Sequence, residues 1–308
     1  MAIDATCPVI LQWTRHRAVA RRLGGVLLWA LTGFVPSFAL AGAPPALAQA
    51  QGVPAHPLRT SQPFSLVYDT DPIATVIFEG AGQVAVVRQY PSGQPFPADR
   101  WVSKVHRLDL RGRGPAGMAA LLRERLSQAD DGAQIASRLV AIDEVGREFD
   151  DDGAGPALLA AMRLLASERD DLTGEPLSRR VLLYVAPLFV AKVGSGELTG
   201  WRSALQAARL AGGAWLQMYH ASGGRVTAAA TSAEWRTYLP AWRRALGPTS
   251  DRLHVIFTGG EVPQAEQWRR ARQTPAGRAT LRNGAGAYRL GSPAAARTWL
   301  AHLKRFAS

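Results

Sequence analysis

Few residues in this sequence of 308 have the types and spacing to do chemistry. The pair Asp143-Glu144 closes the otherwise apolar run 139–144 and is followed by Val145-Gly146-Arg147. A carboxyl pair in that position can pass a proton to a bound ligand or hold it by hydrogen bonds. It can equally cap a following helix or pair with Arg138 or Arg147. Glu261 is a second candidate, placed after Thr258-Gly259-Gly260 at the end of the run 253–258, where a solvated loop residue is the competing reading. The run 214–220 contributes Trp215, Gln217, Tyr219 and His220; the run 181–187 contributes Tyr184; and Asp109 and Arg111 stand at the end of the run 105–110.

Several other chemistries lack their residues. The one cysteine, Cys7, lies in the N-terminal leader described below, so the rest of the chain has no thiol nucleophile and no disulfide. His106, His220 and His254 fall on apolar runs but show no H-x-x-x-H or H-E-x-x-H spacing, and core histidines are expected there. Neither Gly194-Ser195-Gly196 nor Ala221-Ser222-Gly223 completes a nucleophile elbow. The acidic run Glu148, Asp150, Asp151 and Asp152 lacks the spacing of an EF-hand and reads as a solvated loop. No metal site and no cofactor are therefore expected.

These candidates need elements to position them. Short apolar, β-branched runs recur at 74–78, 84–89, 105–110, 139–144, 181–187, 214–220, 253–258 and 287–290. Most are continuous, as strands covered on both faces should be. Helical patterns separate the later runs, at 116–128, 156–167, 200–210, 233–246, 265–272 and 293–306, with Pro115, Pro156 and Pro293 at probable starts. Trp201, Trp235, Trp242, Trp268 and Trp299 fall in these patterns and read as core anchors. Repeated strand and helix imply a parallel sheet, and eight strands suggest a (β/α)8 TIM-type barrel, irregular or incomplete in its first strands. No helix fits between the first two runs, and 90–104 is proline-bearing. An open doubly wound sheet is the alternative, weakened because Gly80-Ala81-Gly82 does not make a phosphate loop.

In such a barrel ligands gather at the C-terminal ends of the strands. Counted in order, Glu144 follows the fourth strand and Glu261 the seventh. In this arrangement the chain resembles retaining glycoside hydrolases built on (β/α)8 barrels, although Asp143 stands where those enzymes usually carry Asn before the acid/base Glu. The resemblance implies Glu144 as general acid/base, Glu261 as the second carboxylate and Asp143 as a support for either Glu144 or the sugar. It also implies that Tyr184, Trp215, Gln217, Tyr219, His220, Asp109 and Arg111 contribute stacking and hydrogen bonds. A non-catalytic envelope barrel that binds polysaccharide or a protein is the alternative function.

The N-terminus has the order of an export signal: Arg15, Arg17, Arg21 and Arg22, an apolar stretch from Leu23, and a small-residue segment ending Ala48-Gln49-Ala50. Gly24, Gly25, Gly33 and Pro36 interrupt the apolar stretch, which argues against a retained anchor. The expected organisation is an export signal over 1–50, a linker or arm over 51–62 and a single α/β domain over 63–308, in a secreted or cell-envelope protein. Export by the general or the twin-arginine route stays open. The net charge is +12; four arginines against Asp4 place +3 of it in the leader and +9 in the remainder. Outside the cell that points to anionic envelope polymers or membrane surfaces, and the scattered arginines disfavour nucleic acid; with the site residues, the expected partner is a glycan or an anionic envelope polymer.

Overall fold

The computed structural model describes residues 65–69, 84–88, 100–127, 137–171, 173–218, 234–258 and 264–288, together with 292, 294–295, 297–299 and 301–302. All of them belong to the unit Gly52–Ser308. Six parallel strands form a strongly curled sheet: β3 (Arg100–His106), β4 (Ser137–Val145), β5 (Val181–Val185), β6 (Gly213–Gln217), β7 (Leu253–Thr258) and β8 (Ala285–Tyr288). Each pairs with the next in chain order. Two further strands, β1 (Ser65–Asp69) and β2 (Val84–Arg88), continue the curl, with β2 pairing to β3 and β1 returning to β8 through Leu66 opposite Gly286 and Val67 opposite Ala287.

Helices follow the strands from β3 onward. They are α1 (Arg107–Leu110), α2 (Pro115–Ser127), α3 (Gly155–Ala166), α4 (Pro187–Gly194), α5 (Arg202–Leu210), α6 (Leu239–Leu246), α7 (Gln264–Arg272) and α8 (Pro275–Leu281). In α3, proline occupies the first turn, and Leu158, Leu159, Ala161, Met162 and Leu165 recur at helical spacing on the buried side. The α2 helix buries Met118, Leu121, Leu122 and Leu126 in the same way.

Strand alternation separates two cores. Val140, Ile142, Leu183, Leu216, Val255 and Phe257 point outward into the layer that packs on the helices. Leu66, Val102, Leu139, Ala141, Leu182, Tyr184, Trp215 and Ile256 point inward and pack on one another. The helices bring the expected tryptophans into the outer layer, where Trp268 meets Trp299 edge-on at 5.0 Å and Trp201 stacks on Phe189 at 4.2 Å.

The inner core is filled by one large ring. Trp215 stacks on His254 at 4.1 Å with planes 4° apart, and both are buried. Glycine makes this possible at two places. A Cβ on Gly213 would come within 2.8 Å of the indole nitrogen of Trp215, and one on Gly286 within 3.4 Å of its ring carbons. Burial pushes the His254 imidazole down to about 3, partly opposed by the Gly284 backbone, so it packs as a neutral ring.

The structure departs from the sequence expectations in places. The strand expected at 105–110 lies earlier, at Arg100–His106, because His106 and Asp109 form a capping box that starts α1 and turns Asp109 from a strand-end residue into a helix cap. Helices α4 and α8 were not anticipated, nor was β1. The strand expected at 74–78 lies outside the described residues.

Candidate functional site

The charged residues of the inner wall meet at the C-terminal ends of β3 and β4. Lys104 alternates with Val102 and so shares the inward face, where apolar packing would be the default. Asp143 sits opposite His106 in the β3 and β4 register. Its carboxylate meets the Lys104 ammonium at 2.5 Å, with the two side chains only 9% and 15% exposed. Such a pair is tolerated in the wall because each charge answers the other.

One residue later the strand breaks its register. The pairing of β4 with β5 shifts between Ile142 and Val145, and Glu144 takes up φ 54°, the one non-glycine in the left-handed region among the described residues. A bulge at a strand end re-aims a side chain, and a left-handed non-glycine residue carries a conformational cost that packing around it must sustain. Here the result is a carboxylate lifted from the wall, 45% exposed, with Oε2 at 3.4 Å from Arg107 Nε and 3.9 Å from His106 Nε2.

The neighbours of Glu144 are held in turn. His106 Nδ1 accepts a hydrogen bond from the Leu108 amide at 3.3 Å, which leaves the ring proton on Nε2, toward Glu144. Arg107 also reaches Glu148, with Nη1 at 3.1 Å from one carboxylate oxygen and 3.2 Å from the other. One guanidinium thus bridges Glu144 and Glu148. Together Glu144, His106 and Arg107 present an acceptor and two donors side by side, an arrangement able to grip hydroxyl groups or pass a proton.

The remaining expected residues scatter. Tyr184 and Trp215 are fully buried, so neither offers a face for a sugar ring to stack on; the width of the indole is taken up by the inner core instead. Gln217 is likewise buried. Asp109 accepts from the His106 amide at 3.1 Å and acts as a cap, and Arg111 is exposed just past α1. Tyr219, His220 and Glu261 lie outside the described residues. The acidic run after β4 is used locally: Glu148 pairs with Arg107, and Asp151 accepts from the Ser203 amide at 2.9 Å at the start of α5, which holds its carboxyl below the usual range. Among the described residues no group of three His, Cys, Asp or Glu side chains is placed to hold a metal ion, and no helix is long and apolar enough to cross a membrane.

Lys104 and Arg107 were missed from the sequence, and Glu148, read there as part of a solvated loop, pairs with Arg107. The signal for Lys104 was present as the alternation Val102, Lys104, His106 on one strand face, hidden while the strand was placed too late.

No protein-family model, no curated protein and no solved structure matches this chain. The candidate site therefore stands on its own geometry.

Proposed function

We propose that this chain is an exported (β/α)8 TIM-type barrel of the secreted or cell-envelope class that acts on a glycan, with Glu144 as the general acid/base. The observation that supports the reading is the bulge at the end of the fourth strand, which holds Glu144 in a left-handed backbone and lifts its carboxyl beside His106 and Arg107. In this reading Glu144 delivers a proton to the leaving oxygen, and Glu261, which follows β7 in sequence, attacks the anomeric carbon or activates water. Asp143, neutralised by Lys104, fixes the wall from which Glu144 projects.

The test is hydrolysis of a glycan panel by the wild type and by Glu144→Gln. The reading expects turnover in the wild type and a loss of at least about a hundredfold in the variant with folding intact. Full activity in Glu144→Gln would end it.

A second reading, a barrel that binds polysaccharide or a protein without cleaving, draws support from the ion pairs themselves. Lys104 engages Asp143, and Arg107 engages Glu144. Binding of a glycan with no turnover by the wild type would favour it.

A further inference from the structure

A groove of about 590 Å³ has Arg107, the partner of Glu144, in its wall. That volume is within the range of sites that enclose a small molecule or a sugar unit. One lip carries Arg111 and Arg113 on the turn after α1, interleaved with Gly112 and Gly114, whose missing side chains let a ligand approach the backbone. A second lip carries Glu148, which also pairs with Arg107, and Asp152. Arg113 is anchored by its Nε to the Asp109 carbonyl at 2.6 Å, which orients the guanidinium without neutralising it. Along the floor run Ala154 and Ala157, at the start of a helix that has no side-chain cap.

The two lips ask for different groups. Exposed guanidinium forks suit a carboxylate or another oxyanion. The carboxylates of Glu148 and Asp152 suit neighbouring hydroxyls, and the alanine floor suits the apolar face of a ring. A neutral sugar would satisfy one lip, and an inorganic anion the other. A ring bearing both hydroxyls and a carboxylate satisfies both.

We propose that this groove binds a uronic-acid unit of an acidic polysaccharide and so selects the substrate delivered to Glu144. The inference rests on the glycan reading above and adds the class of glycan. Arg111 and Arg113 are the specificity-determining residues, and Arg107 connects their groove to the Glu144 carboxylate.

The experiment is calorimetric titration of the purified protein with a galacturonate oligosaccharide, with its neutral carboxyl-reduced counterpart of the same length, and with poly(glycerol phosphate). The expected result is binding of the galacturonate at least about tenfold tighter than the neutral chain, with Arg111→Ala removing about tenfold of that affinity and Arg111→Lys restoring part of it. Since Arg111 is exposed, both variants should keep the wild-type melting temperature. Equal binding of the acidic and neutral chains overturns the proposal and leaves the glycan reading standing. Preference for poly(glycerol phosphate) over galacturonate overturns the carboxylate assignment. Failure of every saccharide to bind, with no hydrolysis of the panel, removes the glycan reading and this proposal together.

Discussion

Lys104 and Asp143 join β3 to β4 from the inside of the wall, at 2.5 Å and almost out of solvent. Their charges are useful only to each other at that depth. Removing one by Lys104→Met should cost about 3 kcal/mol, because the remaining carboxylate loses its counter-charge. Combining Lys104→Met with Asp143→Leu should recover most of that loss. Urea unfolding of the two singles and the double would show it; additive losses would mean that the pair is not coupled.

Glu144 tells the opposite story, a residue kept where its backbone is uncomfortable. Glycine has no steric penalty at φ 54°, so Glu144→Gly should stabilise the fold by up to about 1 kcal/mol, and under the proposed acid/base role it should also remove turnover. A β-branched substitution, Glu144→Val, should destabilise by a similar amount or more. Melting curves beside activity assays on the three proteins separate the two effects. An unstable glycine variant would mean that the ion pair with Arg107 outweighs the backbone cost.

The buried His254 makes stability depend on pH in a defined window. Its folded value of about 3 lies below the ordinary value of 6.5, so between these limits the unfolded chain binds the proton and the folded one does not. Stability from this group is therefore fully present above about pH 6.5 and falls as the solution is acidified toward 3, by about 1.4 kcal/mol per pH unit at the steepest. His254→Phe keeps an aromatic ring against Trp215 and should flatten that acid limb in chemical unfolding between pH 7 and pH 4.5. An unchanged slope would place the acid sensitivity elsewhere.

Filling the inner wall should be as harmful as emptying it. Trp215→Ala removes the largest ring of the inner core and should cost about 3–5 kcal/mol. Gly213→Ala puts a methyl group into the space held by the indole and should cost about 1–3 kcal/mol. Thermal unfolding of each variant is sufficient. A neutral Gly213→Ala would mean that the ring has somewhere else to go.

The sequence carried much of this arrangement, unevenly. Largely apolar runs located β5, β6 and β7 well, since strands covered on both faces carry few exposed polar residues, although β6 is Gly-Ala-Trp-Leu-Gln and β7 includes a buried His254. The amphipathic spacing of α2 and α3 and the prolines at their starts were equally plain. The start of β3 was hidden because Arg100 to Lys104 carries charged and polar residues that only the register with β4 explains. The acidic pair on the fourth strand stood out, but its partners did not. Lys104 and Arg107 are distant in sequence from Asp143 and Glu144, and nothing local announces an ion pair between strands. Trp215 shows the limit most clearly: an aromatic residue on a strand can face a ligand or a core, and the glycines that decide the matter, Gly213 and Gly286, lie on its own strand and on another one.

Stacked rings fill the inner face of the described strands, so the polar groups near β3 and β4 that reach solvent do so at the edge of the wall, around Glu144. Edge and filling are made from different residues, so substitutions in the turns after β3 and β4 should leave the packing of Trp215 on His254 unchanged. For anyone redesigning this protein, that division marks where variation is cheap and where it is not.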